Sequence, residues 1–229
     1  MIVSHTHKFI FMKTVKTASS SMEIALSQVC GPDDVVTPTR DDLAEQRAIA
    51  GQNYRIEHPA KPQRPVWRRL LGRPERLYHP SVGYYEHMPA WRARTYLGDK
   101  VWNSYYKFAF VRNPWDAQVS IYFYKTRHLA QRPTFEAFLA QTKQARYSSW
   151  DIYTIDDAMA VDFLGRYESV AQDFAKALQT IGLDTQMALP RANVSDKPKD
   201  RYREFYNERT RALVAGWYAP EIKAHGYTF

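Results

Sequence analysis

Apolar positions along this chain fall into short continuous runs, each followed by a polar turn and then by a helical period. The first run covers residues 8–12. After the turn, Met22, Ile24, Ala25 and Leu26 give the apolar face of a helix starting near Ser19. The strongest strand signal is "YYKFAFV" at residues 105–111, which enters "RNPWDAQVSIYFYK" directly. Pro114 suits a first helical turn, because its missing amide hydrogen has no partner there in any case. A third unit is read from "FLGRYESVAQDFAKALQTIGL", where Ser169 and Gln172 have capping-box spacing, the helix runs to Ile181 and Gly182 closes it. A further helix is expected over residues 88–97, and one or two helices and a tail over 200–229. Continuous apolar strands alternating with helices predict an α/β fold around a mainly parallel sheet.

Two stretches break the pattern. Residues 31–40 read as a Gly-Pro-Asp break, and the opening "MIVSHTHK" as a polar lead into the first strand. Residues 54–85 carry recurrent prolines and a dense set of arginines, which predicts a surface insertion, solvated or acceptor-binding, within one domain spanning 1–229.

Composition narrows the chemistry. The 32 Lys and Arg against 24 Asp and Glu give a net charge of +8, which favours anionic partners without choosing among them. Cys30 is the only cysteine, so an internal disulfide framework and a cysteine-rich zinc site are excluded. The histidines show neither HExxH nor ligand spacing, and no metal is expected. No G-x-S-x-G elbow occurs. No apolar run reaches the roughly 18 residues of a membrane span, so the expectation is a cytoplasmic chain.

The candidate chemistry begins at "IFMKTVKTASSSMEIAL", residues 10–26. A helix starting near Ser19 directs unpaired amide hydrogens and a partial positive charge at the turn, a setting for an anion. Lys16 adds a full charge, Lys13 a second if it turns inward, and Thr17, Ser19, Ser20 and Ser21 add hydroxyls. The alternative is a helix merely capped by Ser and Thr with both lysines solvated. Aligning Lys16-Thr17 with the end of G-x-x-x-x-G-K-(S/T) puts Ile10 and Val15 where glycines belong, so an ATP or GTP loop is excluded.

The same segment resembles the 5′-phosphosulfate loop of the sulfotransferases, especially their carbohydrate branch, typically F-x-H-x-P-K-T-A-G-T-S-L. Lys16, Thr17 and Ala18 match, and Ser20 and Ser21 fall on the Thr-Ser pair; Lys13, Val15 and Ser19 replace histidine, proline and glycine. "KFAFVRNPWDAQVSIYF" is similar to the family's 3′-phosphate segment, which implies phosphate-binding roles for Arg112 and Ser120. "FLGRYESVAQDF" and the ending "YAPEIKAHGYTF" also resemble family patterns, so the likeness covers most of the chain outside residues 31–85.

The resemblance implies a P-loop-like three-layer fold with a central mainly parallel sheet flanked by helices. It implies sulfuryl transfer from 3′-phosphoadenosine-5′-phosphosulfate (PAPS) to a small-molecule or glycan acceptor, without a metal. Ala18 and Ser19 then belong to the donor loop, and Lys16 to stabilisation of the departing phosphate. His87 in "YYEHMPAW" takes the place of the family's catalytic histidine, with Glu86 as the alternative base. Asn193, Ser195, Lys197 and Lys199 correspond to a loop that closes over the nucleotide, with Lys197 the candidate contact. Family members of the Golgi carry a membrane anchor, so a bacterial or otherwise soluble relative is expected here. Two other readings stand beside this one: a nucleotide-binding relative without catalysis, and a basic nucleic-acid-binding protein, for which no module is recognisable.

Overall fold

A computed structural model describes residues 1–39, 44–56, 83–142, 148–190 and 201–229. Most of the Pro/Arg-rich stretch, and the 193–199 segment with Lys197, lie outside the described residues.

The central sheet contains β1 (Ile2–Ser4), β2 (Phe9–Phe11), β3 (Val35–Val36), β4 (Tyr106–Val111) and β7 (Phe163–Arg166), in the order β3-β1-β2-β4-β7. A separate ribbon pairs β5 (Thr154–Ile155) with β6 (Ala158–Met159). β2, β4 and β7 are parallel neighbours, while β1 runs antiparallel to both β2 and β3. Only β1 therefore opposes the common direction, and the mainly parallel sheet expected from the sequence is present.

Helices cover both faces because both faces of the inner strands are apolar. Phe9, Phe11, Phe108 and Phe110 point to one side, where they pack with Met22 and Leu26 of α1 (Ser19–Ser27). Ile10, Met12, Ala109 and Val111 point to the other, against Trp115 and Val119. The remaining helices among the described residues are α2 (Ala90–Ser104), α3 (Pro114–Thr126), α4 (Phe135–Gln141), α5 (Trp150–Tyr153), α6 (Val170–Thr180), α7 (Glu208–Trp217) and α8 (Ala219–His225). Trp115 and Val119 belong to α3, which Asn113 caps by accepting from the Trp115 amide at 3.1 Å, with Pro114 in the first turn as expected. α6 packs on the phenylalanine side through Phe174 and Leu178.

Four expectations require correction. The opening residues form β1: Ile2 and Val3 are fully buried, and three residues are too few to display a period. The 31–40 break contains β3, held beside Asp34, whose carboxylate accepts from Ser4 Oγ at 2.9 Å and from the His5 amide at 2.6 Å. Ser169 does not cap α6; its hydroxyl donates to Asp173 at 2.8 Å after a 3-10 turn over Tyr167–Ser169. α2 outruns its expected end, resuming after Gly98, which leaves helical geometry at φ 76°.

Packing is close where β4 meets β7. Gly165 lies opposite Phe110, and a Cβ there would come within 2.4 Å of the Phe110 ring. Phe110 is fully buried, so the ring has nowhere to move. Gly165→Ala is expected to lower the free energy of unfolding by about 1–3 kcal/mol through overpacking, measured by denaturant titration; unchanged stability would show that the sheet relaxes around the methyl group.

Candidate functional site

The loop between β2 and α1 closes without glycine. Thr14 Oγ1 donates to the Phe110 carbonyl at 2.6 Å, so its single hydrogen is engaged and the 2.7 Å contact with Thr17 Oγ1 is a bond that Thr17 donates. Ser19 Oγ turns back to the Thr14 carbonyl at 2.7 Å. The Val15 amide donates to Ser149 Oγ at 3.0 Å. Thr17 and Ser19 thus stitch the loop together with their hydroxyl hydrogens. Ser20, half-buried, and Ser21, buried, occupy the first turn of α1, whose first intrahelical bond runs from the Met22 amide to the Ala18 carbonyl at 3.2 Å.

The backbone takes the turn at Lys16 and Ala18, both with φ near 60°. For residues with a Cβ that region costs about 1–2 kcal/mol each. His87 is a third such residue, at φ 58°. Several of the other non-glycine residues with positive φ are Asn or Asp, which tolerate it, so the unfavourable cases concentrate around this loop.

Arg112, at the end of β4, reaches the same loop. Its Nη1 donates to the Lys16 carbonyl at 2.8 Å, and Nε and Nη2 both bind Asp116 Oδ2, at 2.7 and 2.6 Å. The guanidinium carbon lies 3.8 Å from the centre of the Tyr167 ring. Asp116, Ser120 and Tyr124 follow at four-residue spacing along α3 and share one face. Ser120 is buried. The Lys16 ammonium sits 4.4 Å from the Tyr124 ring centre, a cation–π contact. The two basic groups therefore address opposite ends of one helical stripe, whose two turns span about 12 Å. Two anionic groups of a single extended ligand suit that separation better than one compact anion does.

Behind the loop lies a charge cluster. Glu23, fully buried on α1, accepts from the Met1 amino group at 2.6 Å, and from Lys13 Nζ and Arg47 Nη2 at 2.5 Å each. Burial pushes its carboxyl up, but the three cations pull harder and hold it well below the ordinary range. Lys13, buried, also pairs with Glu86. Burial raises the Glu86 carboxyl and Lys13 lowers it, with a net fall. His87 Nδ1 lies 3.0 Å from the Lys13 carbonyl, which can only accept, so Nδ1 carries the proton there and neutral His87 keeps its lone pair on Nε2.

The structure thus brings Lys13, Lys16, Thr17, Ala18, Ser19, Ser20, Ser21, Glu86, His87, Arg112 and Ser120 into one region. The Lys13 ammonium is turned to carboxylates. Sequence reasoning missed Glu23, although a glutamate inside "SMEIAL" was a signal, and missed Arg47, Tyr124 and Tyr167, which carried none. No group of metal-binding residues occurs among the described residues, and no described helix is long and apolar enough to cross a membrane.

The sheet thus carries a Ser/Thr-rich turn after its first parallel strand, β2, and an arginine just beyond the end of the next, β4. The family model for the sulfotransferase family matches residues 1–222, and the chain belongs to that family. It is 32% identical over 121 residues to an uncharacterized protein of Archaeoglobus fulgidus, covering 51% of this chain and 98% of the relative. A crystal structure of a sulfotransferase from Alicyclobacillus acidocaldarius superposes with a TM-score of 0.45 at 16% identity, covering 97% of this chain and 96% of the other. Family membership makes sulfuryl transfer the general activity, and a transferase the general class.

Two measurements probe the site's construction. Ala18→Gly is expected to raise unfolding free energy by about 0.5–1 kcal/mol, because relief of the left-handed strain outweighs the added chain entropy; a loss in denaturant titration would contradict the strained loop. Glu23's depressed carboxyl gives stability that is complete above its ordinary value of 4.5 and is lost as pH falls below it. Glu23→Gln is expected to flatten that acid limb and, by leaving buried cations uncompensated, to cost about 3–5 kcal/mol near neutral pH, followed by unfolding titrations across the acid range.

Proposed function

We propose that this protein transfers the sulfuryl group of PAPS to a hydroxyl of an acceptor, with carbohydrates as the acceptor class. The observation that carries the reading is the placement of Arg112 and Lys16 at the two ends of one face of α3, at the head of α1. Such a site suits a donor with one phosphate at its ribose and a phosphosulfate at its other end.

The residues present fit that donor. The loop presents the head of α1, and the left-handed turns at Lys16 and Ala18 bring main chain, rather than a glycine gap, around the anion. Arg112 uses three of its donors on Asp116 and Lys16, and the rest of its planar fork is suited to the ribose phosphate. Ser120, one turn beyond Asp116, adds a hydroxyl on the same face. The donor supplies an activated sulfuryl group whose transfer releases a phosphate.

The Lys16 ammonium, which lies over Tyr124, would reach the 5′-phosphate of the departing adenosine 3′,5′-bisphosphate and offset the negative charge that gathers on its oxygen as the S–O bond breaks. His87 is the base, because Nε2 holds a lone pair for the acceptor's proton while Nδ1 stays on the Lys13 carbonyl. Glu86 suits that role poorly: its carboxyl is lowered, and Lys13 occupies it. The acceptor class rests on the likeness of the donor loop and of the 84–91 stretch to carbohydrate enzymes.

The test is nucleotide selectivity followed by turnover. Adenosine 3′,5′-bisphosphate at 100 times its Kd is expected to stabilise the fold by about 2.7 kcal/mol, with a smaller effect from ATP. Lys16→Ala is expected to lower kcat by about 10²–10³-fold, and Arg112→Ala to weaken nucleotide binding about 10–100-fold by loss of charged hydrogen bonds. Equal stabilisation by ATP, or wild-type affinity in the Arg112 variant, would reject the assignment.

A further inference from the structure

Lys13 replaces the histidine usual in the donor loop, and its surroundings give it a different task from holding the donor. The side chain is 3% exposed, and its ammonium is shared between Glu23 on α1 and Glu86. Two of its three N–H donors are taken by carboxylates, whose negative charges repel a phosphate approaching the third. The main chain of the same residue meets the neighbour of Glu86: the Lys13 carbonyl accepts from His87 Nδ1 at 3.0 Å. One residue at the end of β2 therefore holds Glu86 by its side chain and His87 by its backbone.

Two features make this double contact consequential. His87 sits at φ 58°, a left-handed conformation uncommon for residues with a Cβ, although histidine adopts it more readily than most. The anchor is itself fixed, because Glu23 is also bound by Arg47 and cannot follow Lys13 if the lysine moves. The chain of contacts runs from buried α1 through Lys13 to the segment bearing the imidazole. Glu86 is 28% exposed at its rim.

We infer that Lys13 is a positioning residue, which clamps the Glu86–His87 segment against the donor loop and fixes the imidazole in the form protonated on Nδ1. The kinetic consequence rests on the sulfotransferase reading above; the tautomer does not. Without the clamp the imidazole loses its fixed tautomer and orientation, and the base is present but misplaced.

The experiment combines nitrogen-15 NMR of the histidine rings with kinetics and calorimetry on the full chain. In the wild type, neutral His87 is expected to show its proton on Nδ1. Lys13→Met is expected to lower kcat by about 10²-fold, the effect of a small misplacement of a catalytic group, while the Kd for adenosine 3′,5′-bisphosphate stays near wild type and the Nδ1–H signature weakens. Lys13→Arg, which keeps a cation between the carboxylates, is expected to restore most of the turnover. If Lys13→Met does not fold, Glu86→Gln decides, since it leaves Glu23 paired with Lys13 and Arg47; turnover and tautomer preference are expected to fall together. Weakened nucleotide binding in Lys13→Met with an unchanged tautomer would make Lys13 a donor ligand and overturn the proposal. A Glu86→Gln variant that loses turnover with His87 unaltered would overturn it too, by assigning Glu86 to the chemistry. Should the wild type transfer no sulfuryl group, the functional reading fails, and the NMR comparison still decides the clamp.

Discussion

A carboxylate with no access to water must meet cations or give up its charge, and Glu23 meets three. Its position on α1 therefore dictates where other parts of the chain can lie. The start of β1, the end of β2 and the segment at Arg47 all converge on it, and Lys13 passes the constraint to Glu86. Met1, Lys13 and Arg47 thus reach one carboxylate from three separate segments. The apolar faces of the sheet bring α1 to the right side of the molecule, but hydrophobic burial is indifferent to a small slide or rotation. The charge cluster is directional. It sets how α1 presents its amino-terminal end to the loop.

That loop solves a familiar problem with unfamiliar residues. Glycine permits left-handed turns without strain, whereas Lys16 and Ala18 adopt them at an energetic disadvantage. What holds them there is local: Thr14 on the Phe110 carbonyl, Thr17 on Thr14, Ser19 back to the Thr14 carbonyl, and Arg112 on the Lys16 carbonyl. Each bond contributes on the order of 1 kcal/mol, and more where Arg112 is the donor, so together they offset the strain. The hydroxyls in this loop consequently divide their labour. Thr17 and Ser19 maintain its shape, and on the proposed reading the anion falls to the head of α1, to Lys16 and to the serines of the first turn.

Much of this was legible in the sequence, for physical reasons that differ by element. β4 was visible because a strand buried on both faces leaves a nearly continuous apolar run, and α3 was visible because Asn113 and Pro114 start a helix by local chemistry alone. Lys16, Arg112 and Ser120 could be placed near one another from the sequence because each follows a strand at a short, fixed spacing. β1 and β3 escaped, being three and two residues long. The direction of the Lys13 side chain also escaped, since it depends on Glu23, ten residues along, and Glu86, seventy-three along. No local pattern encodes a contact of that range. Tyr124 and Tyr167 were invisible for a similar reason: an aromatic residue on a half-buried face reads as packing until the cation above it is placed.

The arrangement separates two demands that conflict at a single residue. A lysine that stabilises a leaving phosphate must be free to move toward it, whereas one that braces a catalytic segment must not move. On the proposed reading the mobile role falls on Lys16, which is half-buried with its ammonium 4.4 Å from the Tyr124 ring centre. The static role falls on Lys13, enclosed by carboxylates in a buried site where breaking an ion pair is strongly destabilising. Three residues apart on one strand-to-helix turn, the two lysines differ chiefly in what surrounds them, and that difference in confinement lets the turn be both a brace and a working part.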